Sequence, residues 1–165
     1  MQPTTMPLTL RAYEQHDFAS LHHLDQSCFP PGVAYSAMGL DYFLALPSAQ
    51  CLVAVQGPEI VGFILSEQKS LQAHVITLDV AAEHRRCGVA STLLSEHERT
   101  LALSGAREMR IETSIENAPA VAFWQRHGYR IEAVLKRYYL SRIDAYEMRK
   151  ILPAATTAKS AQKEA

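Results

Sequence analysis

The stretch that most limits how this chain can fold runs from residue 73 to residue 113. "AHVITLDV" (73–80) has the length and β-branched content of a strand. "GVASTLLSEHERTLALSG" (88–105) places Val89, Leu93, Leu94 and Leu101 on one helical stripe, and Gly105 supplies a C-terminal stop. "EMRIET" (108–113) returns to strand character. A strand, a helix and a second strand in succession require a mixed α/β architecture.

The flanking sequence extends this pattern. "LTLRAY" (8–13) alternates as a strand, and "DFASLHHLDQSCF" reads as a helix with Asp17 as N-cap and Phe18, Leu21 and Leu24 on one face. "PPGVAY" (30–35) breaks that helix, and Ser36 caps a second one bearing Leu40, Phe43 and Leu44. "CLVAV" (51–55) and "IVGFILSE" (60–67) flank the turn "QGPE" as a hairpin. "NAPAVAFWQRHG" is a helix opened by Asn117, with Pro119 in its first turn, and closed by Gly128. "YRIEAVLKRYY" and "DAYEMRKIL" are strands. The expected order is βααβββαβαββ, a mixed, mostly antiparallel sheet flanked by helices. The expected limits are a flexible segment 1–7, one domain over 8–152 and a disordered tail 153–165.

Charge and cysteine usage narrow the setting. The formal net charge is -1 over 165 residues, so no overall basic field calls for nucleic acid. Cys28, Cys51 and Cys87 are an odd number without close spacing, which fits free thiols in a reducing cytoplasm. No charged start precedes an apolar run and no apolar stretch reaches spanning length, so neither a signal peptide nor a membrane partner is expected. His16, His22, His23, His84, His97 and His127 lack metal-ligand spacing, and no metal is expected.

The turn "EHRRCG" between strand and helix raises a chemical question. A helix start leaves backbone N–H groups unpaired and carries partial positive charge. Small residues at Gly88 and Ala90 let an anion approach those amides, and Arg85 and Arg86 add charge. A diphosphate cradle and a solvated basic turn both fit this segment. The phosphate-loop alternative lacks its lysine, because Val89-Ala90-Ser91 follows Gly88, and no G-x-G-x-x-G is present.

Arg85-Arg86-Cys87-Gly88-Val89-Ala90 resembles the R/Q-x-x-G-x-G/A motif of the GCN5-related N-acetyltransferases (GNAT). "NAPAVAFWQRHGYR" (117–130) resembles that family's segment beside the pantetheine arm. The resemblance covers residues 8 to about 152 and includes the element order. It implies acetyl-coenzyme A as co-substrate, held by Leu78, Val80, Arg85, Arg86, Cys87, Gly88, Val89, Ala90, Ser91, Asn117 and Trp124. It also implies that backbone N–H groups near Val80 meet the acetyl carbonyl.

Three further features resemble the protein N-terminal acetyltransferases, including the ribosomal-protein alanine type. "CFPPGVAYS" (28–36) stands where such enzymes build one wall of a peptide groove, which points to Phe29, Pro30 and Tyr35. "KRYY" (136–139) resembles their paired tyrosines and points to Tyr138 and Tyr139. Glu112 matches the position of a catalytic glutamate, and His74 that of a catalytic tyrosine. The implied acceptor is a protein or peptide N-terminus, ribosomal protein included, and the implied assembly a monomer or homodimer. Each feature also has a plainer reading: a helix terminator, packed strand tyrosines, a solvated carboxylate sharing parity with Arg110, and a structural histidine.

The chemistry explains the residue types. A peptide α-amine has a pKa of about 7.7–8.0, so a base must take a proton before it attacks. Glu112 acting through water is the first choice of base, and His74 the second. A lysine amine, with a pKa of about 10.4, is harder to deprotonate, which favours an α-amine. Trp124 stands where the family has a tyrosine that protonates the leaving thiolate, and an indole cannot do so. Water or Tyr129 would take that part, or the thiolate would leave unprotonated. Two alternatives stay open in the sequence: acetylation of a small-molecule amine, and a non-catalytic acyl-coenzyme A binder.

Overall fold

The computed structural model describes residues 6–155. Of the expected flexible segment 1–7 and disordered tail 153–165, residues 1–5 and 156–165 lie outside the described residues. Met6 nonetheless touches the domain, its carbonyl accepting from Gln56 Nε2 at 2.8 Å, and Ala155 packs against the core.

The elements follow the expected order. They are β1 (Leu8–Ala12), α1 (Phe18–Cys28), α2 (Ala37–Ala45), β2 (Ala49–Gln56), β3 (Glu59–Lys69), β4 (Gln72–Val80), α3 (Val89–Leu103), β5 (Glu108–Ser114), α4 (Ala118–Arg126), β6 (Arg130–Tyr139) and β7 (Ile143–Ile151). Short 3-10 turns precede α1 and α3. One seven-stranded sheet runs β1-β2-β3-β4-β5-β7-β6, antiparallel except between β4 and β5.

Apolar residues on the two sheet faces divide the core. One cluster joins Val75, Ile111 and Met148 to Leu93, Leu94 and Leu101 of α3 and Trp124 of α4. The other joins Leu21 and Leu24 of α1 and Leu40 of α2 to Val53, Phe63 and Leu65. The predicted stripe of α3 is therefore its buried face. Gly62 is required at the β3–β4–α3 junction, where a Cβ would stand 2.8 Å from the Asp79 carbonyl oxygen.

Local signals explain most element ends. Ser36 Oγ accepts from Gly39 N at 3.0 Å, and Asn117 Oδ1 accepts from Ala120 N at 3.2 Å, both N-caps as expected. Gly105 (φ +97°) follows the end of α3, and the Ala106 amide returns to the Leu101 carbonyl. Asp17 departs from expectation: it lies in the 3-10 turn and gives α1 no side-chain cap. Its carboxylate instead accepts from Arg11 at 2.7 and 2.9 Å and from the Glu14 amide at 2.9 Å. The charged Arg11 partner explains the preference.

Two irregularities position the site. Ile76 is a bulge in β4, since Val75 pairs with Ser66 and Thr77 with Leu65. The extra residue reverses the parity of the strand, so Thr77 and Asp79 share the α1 side with Ile76. The second is the parting of β4 from β5, which pair only at Gln72–Glu108, Ala73–Met109 and His74–Arg110. Past His74, the β5-facing edge of β4 lacks that partner. No helix of the described residues is long and apolar enough to cross a membrane.

Candidate active site

The cofactor turn has the local geometry of an anion cradle. Arg86 (φ +62°) and Gly88 (φ +82°) are both left-handed, which curls residues 85–88 around the start of α3. Gly88 is the N-cap of α3, and no side chain caps the helix there. A Cβ built on Gly88 meets nothing within 4 Å, so space lies open beside the first-turn amides. Arg86, Cys87 and Gly88 are exposed, Val89 is buried, and Ala90 and Ser91 are half-buried. Arg85 is anchored: Nε donates to the Val80 carbonyl at 3.2 Å, and a terminal nitrogen lies 3.6 Å from Cys28 Sγ. The donor set suits a diphosphate.

The other expected cofactor residues divide. Leu78 is half-buried against the α3-side core, and the Val80 carbonyl is engaged by Arg85 and Cys28. Ser91 Oγ meets His127 Nε2 at 3.0 Å, which links α3 to the end of α4. Asn117 is exposed, and its side-chain oxygen is spent on the α4 cap. Trp124 is 4 % exposed, with its ring edge-on to Phe123 and Tyr129 at centroid distances of 5.2 and 4.9 Å. The indole is thus a core group. Tyr129 cannot be the acid for a leaving thiolate. Its hydroxyl donates to Glu98 Oε1 at 2.9 Å, and burial reinforced by Glu98 pushes it far above its ordinary value.

Of the expected acid–base and acceptor residues, Glu112, His74, Tyr35, Tyr138 and Tyr139 lie together, whereas among the described residues no hydrogen bond or ring contact joins Phe29 or Pro30 to them. His74 Nε2 lies 2.5 Å from Glu112 Oε2. The Glu112 side chain is 10 % exposed and that of His74 30 %, so the pair is reachable but mostly enclosed. Arg110 Nε stands 3.4 Å from Glu112 Oε1, as shared parity on β5 requires. Tyr139 donates its hydroxyl to the Glu112 carbonyl at 3.1 Å. Tyr138 packs edge-on against Tyr139 with centroids 4.9 Å apart.

The loop between α1 and α2 brings Tyr35 next to Tyr138 and Glu112. Tyr35 is held by its amide on Asp25 Oδ2 at 2.7 Å and by Gln26 Nε2 on its carbonyl at 2.6 Å. Burial, with Tyr138 and then Asp25 and Glu112 as neighbours, pushes the Tyr35 hydroxyl up to about 12. Burial likewise raises Tyr138 and Tyr139. Phe29 is half-buried and Pro30 exposed at the head of the loop. This loop and the β6–β7 turn touch, since a Cβ on Gly32 (φ +87°) would stand 2.5 Å from Leu140 Cδ2.

"KRYY" is more than a strand end. Arg137 has φ +54°, and the β6–β7 register breaks between Leu135 and Tyr139. Asp144 holds this bulge, accepting from the Arg137 amide at 2.9 Å and Lys136 Nζ at 3.1 Å. Sequence reasoning missed Asp144, Asp25 and Gly32. Asp144 follows the tight turn after the tyrosines, which was the one available signal.

The comparisons with known proteins give the family and the fold. The model of the "Acetyltransferase (GNAT) family" matches residues 18–129. An N-alpha-acetyltransferase MAK3 of Arabidopsis thaliana is 27 % identical over 151 residues, covering 85 % of this chain and 78 % of the relative. An N-alpha-acetyltransferase of Saccharolobus solfataricus is 32 % identical over 109 residues, covering 58 % and 65 %. Among solved structures, Ard1 from Thermoplasma volcanium superposes with a TM-score of 0.79 at 26 % identity, covering 88 % of this chain and 98 % of that one. The ribosomal-protein-S18-alanine N-acetyltransferase from Escherichia coli shares the fold, with a TM-score of 0.80 at 20 % identity over 93 % and 97 % of the two chains. With the matched model spanning α1 to the end of α4, this chain belongs to the GNAT family of acetyltransferases.

Proposed function

We propose that the protein transfers the acetyl group of acetyl-coenzyme A to the α-amine of a protein or peptide N-terminus. The observation that carries this reading is the Glu112–His74 pair, 2.5 Å apart and placed beside Tyr35, Tyr138 and Tyr139 where β4 and β5 separate. The names of the relatives, N-alpha-acetyltransferases among them, support the same acceptor class.

Acetyl-coenzyme A supplies an activated acetyl thioester, and the chain supplies position and proton transfer. The α3 first-turn amides, with Arg86 beside them, hold the diphosphate. The edge of β4 past His74, freed from β5, offers backbone donors for negative charge developing on the acetyl oxygen. Glu112 takes the proton of the incoming ammonium through water, and His74 hydrogen-bonds that carboxylate and passes the proton to solvent. The freed amine forms its C–N bond as the thioester C–S bond breaks, and the thiolate leaves to be protonated by water. Tyr35 and Tyr138 enclose the first residue of the acceptor. The free thiols Cys28, Cys51 and Cys87 suit a reducing, cytoplasmic setting.

The test is turnover of acetyl-coenzyme A with peptides that vary in their first two residues, beside polyamines and free amino acids. Acetylation of peptide α-amines in preference to small amines is expected. Turnover with small amines alone would overturn the acceptor assignment.

A further inference from the structure

The chemistry above uses neither of the two most deeply buried carboxyl groups. Asp25 on α1 is 0 % exposed, and Asp79 on β4 is 1 % exposed. Each spends one oxygen. Asp25 Oδ2 accepts the Tyr35 amide at 2.7 Å, and Asp79 Oδ1 accepts the Thr77 hydroxyl at 2.5 Å. The remaining oxygens, Asp25 Oδ1 and Asp79 Oδ2, are buried without a donor, and the two carboxyls lie within hydrogen-bonding reach of each other. Two ionised carboxylates so placed would repel in a medium without water to screen them. One proton between them gives instead a charge-assisted O–H···O⁻ bond that satisfies both orphaned oxygens.

We propose that Asp25 and Asp79 share one proton, and that this bridge is a positioning device tying the acceptor loop to the end of β4. One end of the bridge is the Tyr35 amide, in the wall of the acceptor groove. The other is the strand that leads directly into the cofactor turn. The bridge thus links the acceptor side to the acetyl-donor side, and this role rests on the acceptor reading given above.

The surroundings favour one shared charge. Cys28 faces the pair from α1, Tyr35 from the loop, Cys51 from β2 and Arg85 from the cofactor turn. Burial lifts both thiols and the Tyr35 hydroxyl, so they are neutral at pH 7, and Arg85 balances a single negative charge. Burial, with Asp25 second, likewise holds the Asp79 carboxyl well above the usual carboxylate range. Loss of the shared proton at alkaline pH leaves two carboxylates in contact and loosens the loop, while the diphosphate contacts at Gly88 stay as they are.

The test uses the full chain and has two arms. In the first, carboxyl ¹³C NMR follows the ligand-free protein from acid to alkaline pH. One aspartate carboxyl should keep its proton at pH 7, and the Tyr35 amide cross-peak should titrate with it. In Asp79→Asn that titration should vanish, because an amide donor replaces the proton; Asp25→Asn serves the same purpose if the first variant does not fold. In the second arm, the acceptor KM of the parent relative to Asp79→Asn should rise about tenfold from neutral to alkaline pH, with the acetyl-coenzyme A ratio flat. Aspartates all ionised at pH 7 would overturn the shared proton. A flat acceptor ratio would overturn its positioning role. Failure of every peptide as acceptor would count against the proposed function, and the NMR arm would still decide the shared proton.

Discussion

His74 Nε2 and Glu112 Oε2 meet at 2.5 Å just where β4 and β5 cease to pair. Because they part, a histidine and a carboxylate from neighbouring strands meet where β4 loses its partner on that edge, with Tyr35, Tyr138 and Tyr139 close by.

Glu112→Gln should keep the shape of the site and lose the proton acceptor. Turnover should fall by about 10²–10⁴, with acetyl-coenzyme A affinity nearly unchanged. Raising the pH should restore part of the rate, since more of the amine arrives neutral. His74→Ala should cost less, and the double variant should lose little more than Glu112→Gln alone, because contacting groups that act together are not additive. Steady-state kinetics across pH check this, and full activity of Glu112→Gln at neutral pH would remove Glu112 from the mechanism.

Gly88→Glu should abolish acetyl-coenzyme A binding, as it puts a negative charge into the space beside the α3 amides. Its left-handed φ adds a folding penalty of about 1 kcal/mol. Gly88→Asn, which tolerates that backbone, separates the two effects and should bind better than Gly88→Glu. Arg86→Ala should weaken binding less, since the amides remain. Calorimetric titration with acetyl-coenzyme A measures all three.

Elements with local signals were legible in the sequence. Ser36, Asn117 and the α3 stripe announce their helices because caps and helical periodicity depend on neighbours within a turn or two. Glu112, Tyr35, Tyr138 and Tyr139 were legible through resemblance, and the fold brings them together. What sequence alone hid depends on distant partners. Asp17 looks like a cap until Arg11 folds back onto it. The bulge at Ile76 depends on the register with β3, and it alone turns Asp79 toward Asp25. Tyr129 looks available as an acid until Glu98, 31 residues away, takes its proton donor.

Trp124 should act mainly through stability. Its indole fills the junction of α4 with the sheet, against Phe123 and Tyr129. Trp124→Ala should cost about 3–5 kcal/mol in urea unfolding, the range for deleting a large buried aromatic. Trp124→Tyr should cost less and retain turnover. A large loss of turnover in Trp124→Tyr at unchanged stability would show that the indole takes part in the reaction itself.

His97 gives the fold an acid-sensitive point away from the chemistry. Its ring on α3 is 2 % exposed, and Nε2 meets Ser66 Oγ on β3 at 2.8 Å. Burial lowers it from 6.5 to about 4. Above the unfolded value both states are neutral, and His97 does not couple stability to pH. As pH falls below that value, the unfolded chain takes up a proton that the folded chain refuses, so stability drops until the folded value is reached. The loss at pH 5 should be about 2 kcal/mol. Asp79 works in the opposite sense, because a raised folded value makes stability fall as pH rises. Comparison of the parent with His97→Gln isolates the histidine. Between pH 7 and pH 5 the unfolding free energy of the variant should lose about 2 kcal/mol less than that of the parent. Equal losses would mean that His97 is protonated inside the fold.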